Sequence, residues 1–563
     1  MNRRAFLAGG ASAAAARYAV AAVRDPGFRL TDVTQQAGLA FHHNSGAFGA
    51  KYLPETLGPG CAFLDYDGDG WLDILLVNGT DWPGHRKQPS NLSLYPSTMT
   101  LYRNNRNGTF TDVTRRAGLA VEMYGMGVTV GDYNNDGFPD IFITAVGQNR
   151  LFRNTGKGTF TDVTQQAGLG GRAACSTSAL WFDYDRDGLL DLFVCNYVQW
   201  SPEHDVFCSV DGKNKSYCTP EAFHGSTCWL FRNRGNGTFE DVTAKSGIFD
   251  TTSKSLGVAM LDFDRDGWPD LFVANDTQPN KLYRNMRNGT FEDVAVRFGV
   301  AFSEDGKARA GMGVDAADFD NAGVSGLAIT NFDDEMMALY RPGRSGVFSD
   351  TAIRSGIGVP SRMSLGFGCA FLDADLDGHL DLVAVNGHID ETARSISGNH
   401  GYAQPPHLFL NDGAGVFRDV ASLVGEGFSS PKVARGLAYG DFDRDGDVDL
   451  LITTNQGPAY LYRNDVTGGN RSLRMRLQGT KSNRDAIGAM VRVTTPDGTQ
   501  TRMVKTGSSY LSQSELALTF GLGRRDKAER VVVEWPSSAQ QEFKGLGAGA
   551  WSCVEGQKPV RDL

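Results

Sequence analysis

At 563 residues the chain is long enough for one large repeat domain and a smaller second one. Its 65 acidic against 55 basic side chains give a formal net charge of −10, which argues against a nucleic-acid partner. Most of that excess sits in short repeated loops, so it says little about a protein or polysaccharide partner. No segment beyond the N-terminus approaches the roughly 18 consecutive apolar residues of a membrane span.

Met1 to Ala22 reads as a twin-arginine-type signal. Arg3-Arg4-Ala5-Phe6-Leu7 is followed by an Ala/Gly-rich stretch and an A-x-A site at Ala19-Val20-Ala21. Arg17 interrupts the apolar run and disfavours a stable membrane helix. The expected location is periplasmic or secreted.

Next comes an isolated strand, Leu30-Thr31-Asp32-Val33-Thr34, and after it a nine-residue pattern, D-x-D-x-D-G-x-x-D, that recurs along the chain. The first copy is Asp65, Asp67, Asp69, Gly70, Asp73. The others are Asp132, Asn134, Asp136, Asp140; Asp183, Asp185, Asp187, Asp191; Asp262, Asp264, Asp266, Asp270; Asp373, Asp375, Asp377, Asp381; and Asp441, Asp443, Asp445, Asp449. A further copy at Asp318 and Asp320 has lost its later ligands to Ala322 and Gly326. Oxygen ligands at positions 1, 3, 5 and 9, with a carbonyl at position 7, suit Ca2+, and the glycine permits the sharp turn. Short apolar runs flank each loop, as in Cys61–Leu64 and Ile74–Val77, so the site is strand–loop–strand rather than an EF-hand.

A second signature follows each loop. Leu101-Tyr102-Arg103-Asn104 leads to Gly108-Thr109-Phe110 and Asp112-Val113-Thr114, and variants return at Leu151, Leu230, Leu282, Leu339 and Leu408. Each unit therefore supplies four strands, and seven units predict a seven-bladed β-propeller over residues 28–466. The last unit stops at Leu461-Tyr462-Arg463-Asn464 without its fourth strand, which the isolated N-terminal strand is expected to supply, sealing the ring.

Eight cysteines suit an oxidising compartment. Cys61 and Cys369 stand in inner-strand positions and read as buried small hydrophobes. Cys195, Cys208, Cys218 and Cys228 lie in or beside one insertion; two local disulfides, Cys208–Cys218 and Cys195–Cys228, are the preferred reading, with a zinc site as the alternative.

From about residue 470 to 556 short apolar and polar runs alternate, with a turn at Pro496-Asp497-Gly498, predicting a small β-sandwich. Phe520-Gly521-Leu522-Gly523 and Trp535 read as core and turns. The repeated loops resemble the FG-GAP repeats of integrin α-subunits. Asn470-Arg471-Ser472-Leu473, Asn483–Ala489, Phe520–Gly523 and Val533–Pro536 resemble the ASPIC/UnbV domain. Together they resemble the cartilage acidic protein family. The resemblance implies calcium binding and an extracytoplasmic interaction role, and no established reaction.

Loops between second and third strands, and between blades, emerge on the face opposite the calcium loops. The insertions Gly79–Met99, Tyr197–Thr227 and Gly387–Pro406 all fall there. So do eight of the nine histidines, including His42, His43, His388 and His400. Glu55, Lys254, Arg309, Arg362, Lys432 and Arg435 flank the inner strands and are expected to crowd the channel mouth. A binding or adhesion module for a protein or glycan is the favoured function. The alternative is an extracytoplasmic enzyme with a His/Glu-lined, metal-dependent site at that mouth, which would require the histidines to converge.

Overall fold

In the computed structural model, residues 25–85, 98–392 and 401–562 are described. The signal, His400 and parts of two insertions lie outside them. Seven four-stranded antiparallel blades form a β-propeller. The innermost strands are Cys61–Leu64, Gly125–Gly131, Ala174–Phe182, Ser255–Leu261, Gly311–Ala317, Gly366–Leu372 and Ala434–Gly440. Nearly every residue in them is buried, so they read as apolar or small throughout rather than alternating. Phe28–Asp32 pairs antiparallel with Ala459–Val466 and completes the seventh blade, as the sequence predicts. Cys61 and Cys369 are fully buried in the inner strands.

The asparagine of the second signature stitches neighbouring blades together. Asn104 donates its side-chain amide to the carbonyl of Phe442 in the seventh blade's loop. Asn154, Asn233, Asn285, Asn411 and Asn464 do the same to Tyr66, Tyr133, Tyr184, Phe319 and Ala374 of the preceding blade. In the fifth blade Pro342 holds that position and cannot donate.

Two further four-stranded sheets follow, built from residues Arg471–Arg561. Leu473, Met475, Phe520 and Cys553 of one sheet pack against Val491, Val493, Val531 and Val533 of the other, giving the expected sandwich. This module is docked on the face that carries the aspartate loops, and it sends residues 504–516 into the central channel.

The inserted segment satisfies the open inner edges of the blades, which would otherwise expose unpaired backbone groups. Trp181 N–H donates to Thr506 Oγ1 and Ser508 N–H to the Val258 carbonyl. Val314 and Val128 N–H donate to the carbonyls of Ser509 and Leu511. Cys61 N–H reaches Ser512 Oγ, Gln513 makes three bonds to Thr129 and Val130, and Glu515 N–H reaches the Tyr439 carbonyl. Tyr510 meets Phe367 of the sixth blade edge-on, with ring centroids 5.0 Å apart. All seven blades thus grip the plug, and the channel is filled rather than open.

One disulfide forms, Cys208–Cys218. The expected Cys195–Cys228 bridge is not present. Both are buried thiols, and Cys228 donates to Ser255 Oγ at 3.2 Å.

Candidate metal loops and the opposite face

The loop geometry is set by the aspartates themselves. In the first loop Asp65 accepts the N–H groups of Asp69 and Gly70, and Asp73 accepts those of Tyr66 and Asn104. Positions 1, 3 and 9 converge, with ligand oxygens within 4.8 Å of one another, in five loops: Asp65/Asp67/Asp73, Asp183/Asp185/Asp191, Asp262/Asp264/Asp270, Asp373/Asp375/Asp381 and Asp441/Asp443/Asp449. These groups could hold a metal ion.

Position 5 stands outside the groups. Asp69, Asp187, Asp266 and Asp377 accept the N–H two residues on, and Asp69 and Asp266 also pair with Arg106 and Arg287. The second blade's loop has no such carboxylate triad. Asn134 there donates to Asp136 Oδ2, beside Asp132 and Asp140.

The donor set fits a hard cation on an independent observation. Every intact loop holds a buried carboxylate oxygen with no hydrogen-bond partner: Oδ1 of Asp67, Asp185, Asp264, Asp373 and Asp443, and Oδ2 of Asp140. Asp318 and Asp320 of the fifth blade have none. Burial pushes the carboxyl of Asp73 up to about 8 and that of Asp140 to about 9, so without a counter-ion these groups hold protons.

The C-terminal module brings arginines to four of these loops, a feature that sequence reading missed. Arg474 Nε lies 3.2 Å from Asp441, while Arg502, Arg476 and Arg484 lie 3.8, 3.8 and 3.9 Å from Asp373, Asp65 and Asp132. Gly521, read from sequence as a turn residue, donates its N–H to Asp373 Oδ2. A Cβ there would sit 2.3 Å from that oxygen, so the glycine is a docking position.

On the opposite face the predicted rim residues divide. Arg435 is fully buried and spends its guanidinium on the carbonyls of Thr56, Gly387, His388 and Ala434, with its charge 3.9 Å from the Phe367 ring centroid. It is a structural clamp, not a rim donor, because four carbonyls meet at that point and need one multivalent partner. Lys254 is likewise buried on the Pro220 carbonyl, and Lys432 on those of Gly427, Phe428 and Ser430. Arg309 pairs with Asp350 at 3.0 Å, and Arg362 is exposed.

His43 is buried, accepts the Gln456 N–H, and is held to about 3 by burial and by Arg435, so it stays neutral. His42 is exposed, and His388 lies 3.6 Å from Asp333. Among the described residues the groups of three or more metal-ligand side chains are all loop aspartates, and no histidine joins one.

The third blade's insertion folds across this face. Its Tyr217 and the Trp82 indole donate to the two carboxylate oxygens of Glu55, Trp200 packs edge-on against Tyr52, and Tyr197 donates to Asp276 at 2.5 Å. Glu55 is wholly buried, which pushes its carboxyl up to about 7. A carboxyl raised on folding stabilises the native state fully below its unfolded value near 4.5, and that contribution is lost as pH rises towards 7. Glu55→Gln keeps the shape and removes the ionisation. The variant's unfolding midpoint relative to wild type should therefore rise between pH 5 and pH 8; a pH-independent difference would contradict this assignment.

An FG-GAP-like repeat matches residues 65–143, 132–194, 205–273 and 262–325, and ASPIC and UnbV matches residues 479–557. Cartilage acidic protein 1 of Xenopus tropicalis is 26% identical over 488 residues, 85% of this chain and 61% of the relative. The Mus musculus protein is 29% identical over 315 residues, 55% of this chain and 38% of the relative. This chain belongs to the cartilage acidic protein-like family. It spans less than two thirds of the length of these relatives. Among solved structures, an Agrocybe aegerita protein in a study of non-reducing terminal N-acetylglucosamine recognition is 16% identical with a TM-score of 0.39, covering 71% of this chain and 87% of that one. So low a score carries no argument about the ligand. No described helix is long and apolar enough to cross a membrane.

Proposed function

We propose that the chain is an exported, calcium-binding propeller that acts as an extracytoplasmic binding or adhesion module for a protein or glycan partner. The loop aspartates would hold Ca2+ as structural ions, and the face opposite them would do the recognising. One observation carries this reading: the C-terminal module covers the calcium-loop face and plugs the channel, which leaves the other face as the broad free surface. That face is where the blades differ, and selective recognition needs differences rather than repetition.

The disulfide-pinned insertion supports it further. Phe207 and Val210 are 66% and 65% exposed on a loop held in one shape by Cys208–Cys218, and exposed apolar residues on a rigid support suit an interface. Arg362 adds an uncovered cation able to meet a carboxylate or sulfate.

A glycan array, read with and without calcium, tests the assignment together with the variants Phe207→Asp and Arg362→Glu. Capture should be lost in both variants while calcium content and unfolding midpoint stay unchanged. Capture that survives both, yet is lost on changing the exposed loop-side Lys157 to Glu, would move the site to the other face.

A further inference from the structure

A cavity of about 530 Å³ lies between the loop side of the fourth and fifth blades and the outer face of the C-terminal sheet that carries Met490 and Glu534. Its size falls within the range of small-molecule sites, and boundaries between modules are where such sites concentrate. Part of its wall is the fifth blade's loop, at Gly323, Val324 and Ser325, where the aspartate pattern has been lost.

The lining has two characters. Met260, Met490, Met503, Phe371 and Leu518 form apolar wall, and three methionines make that wall adaptable to shape. Arg502 lines it too. Its Nε donates to the Thr519 carbonyl and one terminal nitrogen to Gln500, but Nη1 is buried without a partner. The side chain is only 9% exposed. Trp535 Nε1 is a second buried donor without a partner in the same lining. Leaving such donors unmet is costly, more so when the donor is charged.

The nearest carboxylate forms only a long ion pair with Arg502 and leaves Nη1 unmet. Asp373 Oδ2 lies 3.8 Å from it and already accepts the N–H groups of Gly378 and Gly521. The cavity's other acids are also committed. Asp183, Asp262 and Asp266 belong to metal-loop patterns, Glu534 pairs with Arg492, and Asp318 accepts the N–H groups of Ala322 and Gly323. Arg265, also in the lining, has no partner among the described residues. The uncommitted charge is therefore positive.

We propose that this cavity binds a small organic anion: an apolar body lying along the methionines and ending in a carboxylate received by Arg502 Nη1. The site is separate from the recognition face and does not depend on it. Trp535 supplies a second donor, and Arg265 favours entry of a negative charge. An apolar alcohol of the same length lacks the group that Arg502 needs, and a bare inorganic anion leaves the methionine wall unfilled.

Calorimetric titration of the calcium-loaded full chain with octanoate, octanol and inorganic phosphate tests this. Octanoate should bind at least tenfold more tightly than either of the others. Arg502→Met should weaken octanoate at least tenfold and leave octanol unchanged. Because Arg502 also faces the sixth loop, Met490→Trp provides a second variant that fills the cavity from the sheet and leaves Arg502 in place; it should also abolish octanoate binding. The proposal is overturned if octanoate fails to bind at millimolar concentration, if octanol or phosphate binds equally well, or if both variants bind octanoate like wild type.

Discussion

Removing calcium with a chelator should lower the midpoint of thermal unfolding by roughly 18 °C, the larger of the two stability effects expected here. Three or four carboxylates crowd each intact loop, and every one of those loops buries an oxygen that no protein donor meets. A cation supplies that partner only in the folded chain. An ion present at a hundredfold excess over its Kd contributes about 2.7 kcal/mol, so six contribute about 16 kcal/mol. Set against an unfolding entropy of about 0.9 kcal/mol/K for a propeller of this length, that gives the shift stated. Atomic analysis should find six calcium ions per chain. Asp73→Asn should remove one of them and lower the midpoint by a few degrees. Asp318→Asn should leave the calcium content at six, because the fifth loop lacks the later ligands; any fall in its midpoint reports the lost acceptor for the Ala322 or Gly323 N–H instead. A content near zero or one, or a midpoint indifferent to chelator, would remove calcium from the account.

Much of this architecture is legible in the sequence because it repeats. The aspartate loops fix where strands turn, the apolar runs beside them fix the strands, and the missing fourth strand at Asn464 pairs naturally with the isolated strand at Leu30. The asparagine of the second signature was visible as a pattern but not as a blade-to-blade stitch, since its acceptors are carbonyls of the previous unit. The plug was not legible at all. Ser508-Ser509-Tyr510-Leu511-Ser512-Gln513 falls inside the alternating stretch read as a sandwich, and its partners lie hundreds of residues away on inner-strand edges. Arg435 misled for a related reason: a charge beside a strand suggests a solvated rim, yet four converging carbonyls bury it. Cys195 and Cys228 flank one insertion, which suggests a staple, but both are buried thiols within the blade's packing and the expected disulfide does not form.

The plug carries the second large effect. Gly60 ends the segment entering the first blade, and its N–H donates to the Met126 carbonyl while its own carbonyl accepts from Val77. A Cβ at this position would lie 1.9 Å from the Leu511 carbonyl oxygen and 2.8 Å from its carbon, both backbone atoms that no side-chain rotation can move. Gly60→Val should therefore cost about 3 kcal/mol or more, the upper end of overpacking, by forcing the plug outward. The signature is local: limited proteolysis should begin to cut within residues 504–516, with the propeller fragment persisting. Gly521→Ala separates this from general damage. Its Cβ would strike Asp373 Oδ2 at 2.3 Å and the Leu376 backbone, so it should loosen the same module and also reduce calcium at the sixth loop, which Gly60→Val leaves intact. If Gly60→Val unfolds at the wild-type midpoint and resists cleavage in that segment, Leu511 is not seated against the first blade and the C-terminal module does not hold the ring from within.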